Sequence, residues 1–115
     1  MISVRLGGAV DPFEQIRMQI ADQIRSGELP AGTRLPAIRQ LASDLRVAPG
    51  TVAKAYAMLE ADGLVESSRA KGTRVAAGQT HAVGIQEAAR QFAAAVGDVD
   101  VETALSAVRA AWAAR

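Results

Sequence analysis

The sequence predicts a mostly α fold with a small β-hairpin, and three observations carry that expectation. Apolar residues recur at spacings of three and four from Pro12 to Gly27, from Pro36 to Leu45 and from Thr51 to Ala61, the period of helices that bury one face. Leu64–Ser68 and Thr73–Ala76 then read as two short strands joined by Arg69-Ala70-Lys71-Gly72. Beyond residue 84 the helical period returns twice. Half of the 115 residues are apolar but only 3% are aromatic, so the core is expected to be aliphatic.

Each element has its own signals. Residues 2–6, ISVRL, read as a short extended arm. Asp11 offers an N-cap and Pro12 suits the first turn of a helix whose Phe13, Ile16, Ile20 and Ile24 share a face. Gly27 ends it, and Pro30, Gly32 and Pro36 punctuate a short extended piece at Thr33–Leu35. A second helix turns Ile38, Leu41, Ala42 and Leu45 inward. Pro49 cannot donate a helical hydrogen bond and separates it from a third helix, which buries Val52, Ala55, Tyr56 and Leu59 and stops at Gly63. Between the two lies a four-residue turn, Arg46-Val47-Ala48-Pro49, with Val47 as its expected buried residue.

The domain organisation expected is residues 1–76 as one domain, 77–84 as a polar linker and 85–115 as a two-helix region. The first tail helix aligns Ile85, Ala89, Phe92 and Val96, the second Val101, Leu105, Val108 and Trp112. Two such helices cannot build a stable core alone, so these eight residues are the candidate dimerisation surface. Trp112 either folds back on Phe92 or buries against a second subunit, and the second is favoured.

Composition removes several function classes. With no cysteine there are no disulfides or thiolate–metal sites, which suits the cytoplasm. Neither a signal peptide nor a membrane-spanning run is evident. No nucleophile–base pair, phosphate loop or metal-ligand cluster appears, so no enzyme, cofactor or metal is expected. His81 reads as an ordinary linker residue, and Asp98, Asp100 and Glu102 as acidic residues that suit a helix start. Residues 1–76 hold ten Lys+Arg against eight Asp+Glu, a net of +2, and 77–115 hold three against four, a net of −1. That bias is too weak to identify a nucleic-acid binder by charge alone.

The pattern carries more than the charge. A helix, a tight turn, a second helix and a basic hairpin place the second helix in a DNA major groove, a winged helix-turn-helix. Ala48, Pro49 and Gly50 are small enough to let the helix start approach DNA backbone, where free N–H groups and the helix dipole favour a phosphate. Thr51, Lys54 and Met58 belong to the outward face. Arg39 lies beside the inward Ile38 and should point out, and a guanidinium can bind guanine through two hydrogen bonds, so it is the best candidate for base readout. Arg69 and Lys71 at the hairpin tip, with Gly72 permitting a tight turn, suit phosphate or minor-groove contact. The bland alternatives are Arg39 paired with Asp44 or Glu60, Lys54 as a solvated lysine, and Tyr56 as a half-buried core residue.

From about Asp11 to Ala76 the chain resembles the winged helix-turn-helix domain of the GntR family of bacterial transcription regulators. The residues that carry this are Gly27-Glu28-Leu29-Pro30-Ala31-Gly32-Thr33-Arg34-Leu35-Pro36, Arg39 with Leu41-Ala42, Thr51-Val52 with Ala55-Tyr56, Leu59-Glu60, Gly63-Leu64, and Lys71-Gly72-Thr73 with Val75. The short tail is similar to the YtrA-type branch. The resemblance implies a homodimeric repressor on an inverted-repeat operator, touching double-stranded DNA through Arg39, residues 48–50, Thr51, Arg69, Lys71 and Gly72, with Arg34 on a phosphate. Any small-molecule effector would sit at the dimer interface or against the winged domain. Three departures stand out: Ala70 where the family tends to have Gly, Arg74 in place of an aromatic, and Ala53 where some members present Arg. The other reading is a winged-helix module that binds protein without sequence-specific DNA binding.

Overall fold

The computed structural model describes residues 2–115. Its elements are α1 (Pro12–Arg25), α2 (Ile38–Leu45), α3 (Pro49–Ala61), β1 (Val65–Ser68), β2 (Gly72–Val75), α4 (Val83–Ala95) and α5 (Val101–Ala113). Contacts divide the chain into two units, residues 1–81 and 82–115.

In the first unit, Ile16, Ile20 and Ile24 form a stripe on α1 because four-residue steps return to one helix face. All three are fully shielded, and each such side chain contributes roughly 1.5–3 kcal/mol. They pack in one aliphatic cluster with Leu41 and Ala42 of α2 and with Val52, Ala55, Tyr56 and Leu59 of α3. Asp11 does stand at the α1 N-cap, but its backbone carbonyl, not its side chain, accepts the amides of Glu14 and Gln15.

The turn into α3 is tighter than the sequence suggested. Arg46 caps α2 in the left-handed region at φ 58°, ψ 44°, and the Val47 amide reaches back to the Ala42 carbonyl at 3.0 Å. Arg46 is the only non-glycine with positive φ among the described residues. Val47 is half-buried against the core. Helix α3 begins at Pro49, two residues before the expected start, because proline lacks only an N–H that the first turn leaves unbonded anyway.

Strands β1 and β2 pair antiparallel with Val65 opposite Val75 and Ser68 opposite Gly72. Gly72, expected in the loop, is therefore the first residue of β2. The extended piece at 33–35 joins the other edge of β2: the Leu35 amide donates to Thr73 and the Val75 amide to Thr33, at 2.8 and 2.9 Å, and Arg34 bridges Arg74.

The arm is held by a device that a glutamine count does not announce. The Gln19 carboxamide exchanges two hydrogen bonds with the Ser3 backbone (3.0 and 2.6 Å), and that of Gln15 does the same with Arg5 (2.8 and 2.9 Å). Helix residues four apart rise about 6.0 Å, close to the roughly 6.6 Å between alternate residues of an extended strand, so two glutamines can imitate a strand edge.

In the second unit, α4 starts at Val83, so the last two residues of the expected 77–84 linker are helical. Val96 stands at the C-cap, just past the last turn. Asp100 caps α5 by accepting the Thr103 amide at 2.9 Å, which holds its carboxyl below the ordinary carboxylate range. Neither helix buries a residue. Among the described residues, no helix is long and apolar enough to cross a membrane.

Candidate nucleic-acid interface

Three of the candidate contact residues, Arg34, Arg39 and Gly72, are brought together in one cleft; the others stand at the start of α3 and at the hairpin tip. Arg34, from the extended piece, and Arg39, second residue of α2, line one cleft of about 300 Å³ together with Tyr56, Gly72 and Thr73. Both arginines are exposed. Among the described residues neither guanidinium meets a carboxylate. Asp44 is engaged by Gln40 at 2.9 Å and Glu60 by the Ser67 amide at 3.0 Å, so the two acids that could have paired with Arg39 do other work.

The cleft is held open from both sides. On the α3 side, the Tyr56 hydroxyl donates to the Pro36 carbonyl at 2.8 Å. This ties α3 to the residues that lead into α2, and so fixes where Arg39 starts. Burial pushes the Tyr56 hydroxyl up to about 12, and only 5% of the residue is exposed, so it is a deeper core residue than expected. On the hairpin side, Gly72 has φ 71°, and an added Cβ would stand 3.0 Å from Nε and 3.2 Å from Nη2 of Arg34. The guanidinium therefore lies against glycine backbone, a seat that any side chain would narrow.

Ala48, Pro49 and Gly50 are exposed at the start of α3, with Ala48 as an N-cap that offers no side-chain acceptor. Pro49 has no amide hydrogen and the Thr51 amide already donates to the Ala48 carbonyl at 3.0 Å, so within this turn the Gly50 amide is the donor left for a phosphate, with no acidic residue in the turn. Thr51 is half-buried on the same turn. Lys54 is exposed, but its ammonium sits 3.9 Å from the centre of the Phe13 ring on α1. A cation over a ring face is held by about 0.5–1 kcal/mol at an exposed site, so Lys54 is tethered toward α1 and is not freely presented. Arg69 and Lys71 are exposed at the hairpin tip, where the Lys71 amide donates to Ser68 Oγ at 3.0 Å and shapes the turn.

The eight residues proposed for subunit contact lie on α4, α5 and the C-cap between them. Ile85, Phe92, Val101, Leu105 and Val108 are all exposed large apolar side chains, Ala89 is exposed too, and Val96 is half-buried. Trp112 is 66% exposed, with the Arg115 guanidinium 4.0 Å from its ring centre; it does not bury against Phe92.

Residues 12–75 match the family model of bacterial regulatory proteins of the gntR family. The chain is 51% identical over 61 residues to the HTH-type transcriptional regulator Rv1152 of Mycobacterium tuberculosis, covering 53% of this chain and 50% of the relative. It is 35% identical over 75 residues to the HTH-type transcriptional repressor YtrA of Bacillus subtilis, covering 65% of this chain and 58% of that one. The chain thus spans about half the length of these relatives. Among solved structures, YtrA from Sulfolobus acidocaldarius, a GntR-family transcription factor, is similar with a TM-score of 0.62 and 30% identity over 84% of this chain and 98% of that one. The AraR DNA-binding domain solved with operator ORX1 is similar with a TM-score of 0.57 and 25% identity over 65% of this chain and 96% of that one. The chain belongs to the GntR family of bacterial regulatory proteins, with YtrA proteins among its relatives.

Proposed function

We propose that the chain is a sequence-specific DNA-binding transcription regulator, a homodimeric repressor that holds an inverted-repeat operator through α3, Arg39 and the hairpin. The observation that carries the reading is the cleft in which Arg34 and Arg39 stand exposed, neither with a carboxylate partner among the described residues. Two guanidiniums with no carboxylate partner among the described residues, in the same unit as a small-residue helix start, can supply phosphate and base-edge contacts. The likeness to AraR domains solved with operator DNA supports it.

In this reading α3 enters the major groove, the exposed turn at Ala48, Pro49, Gly50 and Thr51 approaches the backbone, and Arg39 reads a base. Arg34, Arg69, Lys71 and the Gly72 backbone follow the flanking phosphates. Lys54 contributes less than a free lysine because Phe13 already holds it. The apolar residues of α4 and α5 join two subunits, so that two half-sites are read by one symmetric dimer. The regulator acts in the cytoplasm, and a small-molecule effector would work by changing the spacing of the two α3 helices.

The test is selection of duplexes from a random pool by the purified chain, followed by gel shift against scrambled competitor. An enriched inverted repeat bound by two chains supports the proposal. Equal affinity for enriched and scrambled duplexes would leave a winged-helix protein-interaction module as the better reading.

A further inference from the structure

Arg34 and Arg74 are bridge partners across the edge of β2, so their side chains leave on the same face of the sheet. Two like charges directly opposite each other repel. The structure separates their roles. Arg34 runs along the sheet to lie against Gly72. Arg74 turns its guanidinium onto backbone: Nε donates to the Lys71 carbonyl at 3.2 Å and Nη1 to the Gly32 carbonyl at 3.0 Å. Glu66 stands opposite Arg74 on β1, yet among the described residues the two form no ion pair.

These two carbonyls belong to segments that each hold a proposed phosphate contact. Lys71 is at the hairpin tip, and Gly32 lies two residues before Arg34. A planar guanidinium joins two acceptors in a rigid fork, whereas an ammonium is a point charge on a flexible stem and loses more freedom in doing so. The Gly32 segment is also tied to β2 through its amide, which donates to the Val75 carbonyl at 2.8 Å. Among the described residues, the tip is otherwise held by its own turn, through the Lys71 amide on Ser68 Oγ and the Ser68–Gly72 pairing of the strands.

We propose that Arg74 is a positioning residue of the DNA-binding surface: its guanidinium staples the hairpin tip to the turn ahead of Arg34, so that Lys71 and Arg34 are presented to the same stretch of backbone, and it makes no phosphate contact of its own. The inference rests on the DNA-binding reading and deepens it. Arg74→Met keeps an unbranched apolar stem without the guanidinium donors, and Arg74→Lys keeps the charge without the fork.

The experiment measures affinity for the enriched duplex by fluorescence anisotropy across a salt series, and amide exchange of Lys71 without DNA. Arg74→Met is expected to bind about three- to tenfold more weakly, the worth of an ordinary hydrogen bond or so, with Lys71 exchanging faster and the Leu59 amide unchanged. The slope of log affinity against log salt should stay at its wild-type value, because no phosphate contact is lost. In Lys71→Ala it should fall by about one unit. Arg74→Lys should remain weaker than wild type.

Three results overturn the inference. A slope lowered by about one unit in Arg74→Met would make Arg74 a phosphate ligand. Full recovery in Arg74→Lys would make it a diffuse charge. Unchanged exchange at Lys71 would deny the staple. If the wild-type chain enriches no duplex, the DNA reading itself fails, and the exchange measurement still decides whether Arg74 holds the tip.

Discussion

Replacing Arg46 by glycine should stabilise the protein, and the amount follows from one dihedral pair. Arg46 closes α2 at φ 58°, ψ 44°, where its Cβ crowds its own carbonyl. For an L-residue the left-handed region costs roughly 1–2 kcal/mol. Glycine avoids that but loses about 0.5–1 kcal/mol more backbone entropy on folding, so the net gain is about 0.5–1 kcal/mol. Arg46 is exposed, and its side chain makes no hydrogen bond among the described residues, so little else is lost. Arg46→Ala serves as the control: it removes the same side chain yet keeps the Cβ, and should change stability by less than about 0.5 kcal/mol. Urea unfolding of the three proteins, followed by circular dichroism, reads the difference. In thermal unfolding, the glycine variant should melt about 2–8 °C higher, given the scaling for domains of this size. Equal stability of the glycine and alanine variants would show that the turn carries no strain at this position.

Three further outcomes are expected. Because the folded-state Tyr56 hydroxyl is pushed to about 12, above its ordinary value of 10.0, stability is unaffected by it below pH 10. It should decline as pH rises from 10 toward 12, where only the unfolded chain releases the proton; melting temperature against pH for wild type and Tyr56→Phe checks this, and the variant should lose that part of the decline. Gly72→Ala places a Cβ at φ 71° against the Arg34 guanidinium, and should cost about 1–2 kcal/mol in urea unfolding, with weaker DNA binding as Arg34 shifts. Trp112→Ser should shift sedimentation velocity from dimer toward monomer while the melting of the first unit is retained. A variant that stays dimeric would remove Trp112 from the interface.

The sequence made the helical frame of the first unit legible because its residues follow one period without conflict. Ile16, Ile20 and Ile24, and then Val52, Ala55, Tyr56 and Leu59, all face inward as spacing implies. The positions of Gly27 and Gly63 were equally readable, since both take positive φ just beyond helix ends. Part of what stayed hidden lies in long polar side chains that bond to backbone. Gln15 and Gln19 look like solvated helix residues until the arm is laid beside them. Arg74 looks like surplus charge until its two carbonyl partners are seen. The left-handed Arg46 escaped notice because arginine gives no signal for positive φ, unlike glycine or asparagine. Val83-Gly84 read as linker because glycine is a poor helix former, yet α4 includes both.

The candidate site was legible to a comparable degree. Residue types and spacing nominated Arg39 and Gly72, the family resemblance implied Arg34, and the three line one cleft. The same reasoning offered Lys54 as an outward contact, without anticipating that Phe13 on another helix would hold its ammonium. Contacts that join elements remote in sequence leave no local trace, which is why Tyr56 and Pro36 were not paired in advance.

If this surface reads DNA sequence, Arg39 is its base-reading side chain. Binding of Arg39→Ala to the enriched duplex and to a scrambled duplex, at the same salt, tests it most directly. Preference for the enriched duplex should fall by about 1–3 kcal/mol while affinity for the scrambled duplex changes far less. Equal losses on both duplexes, or none on either, would contradict it.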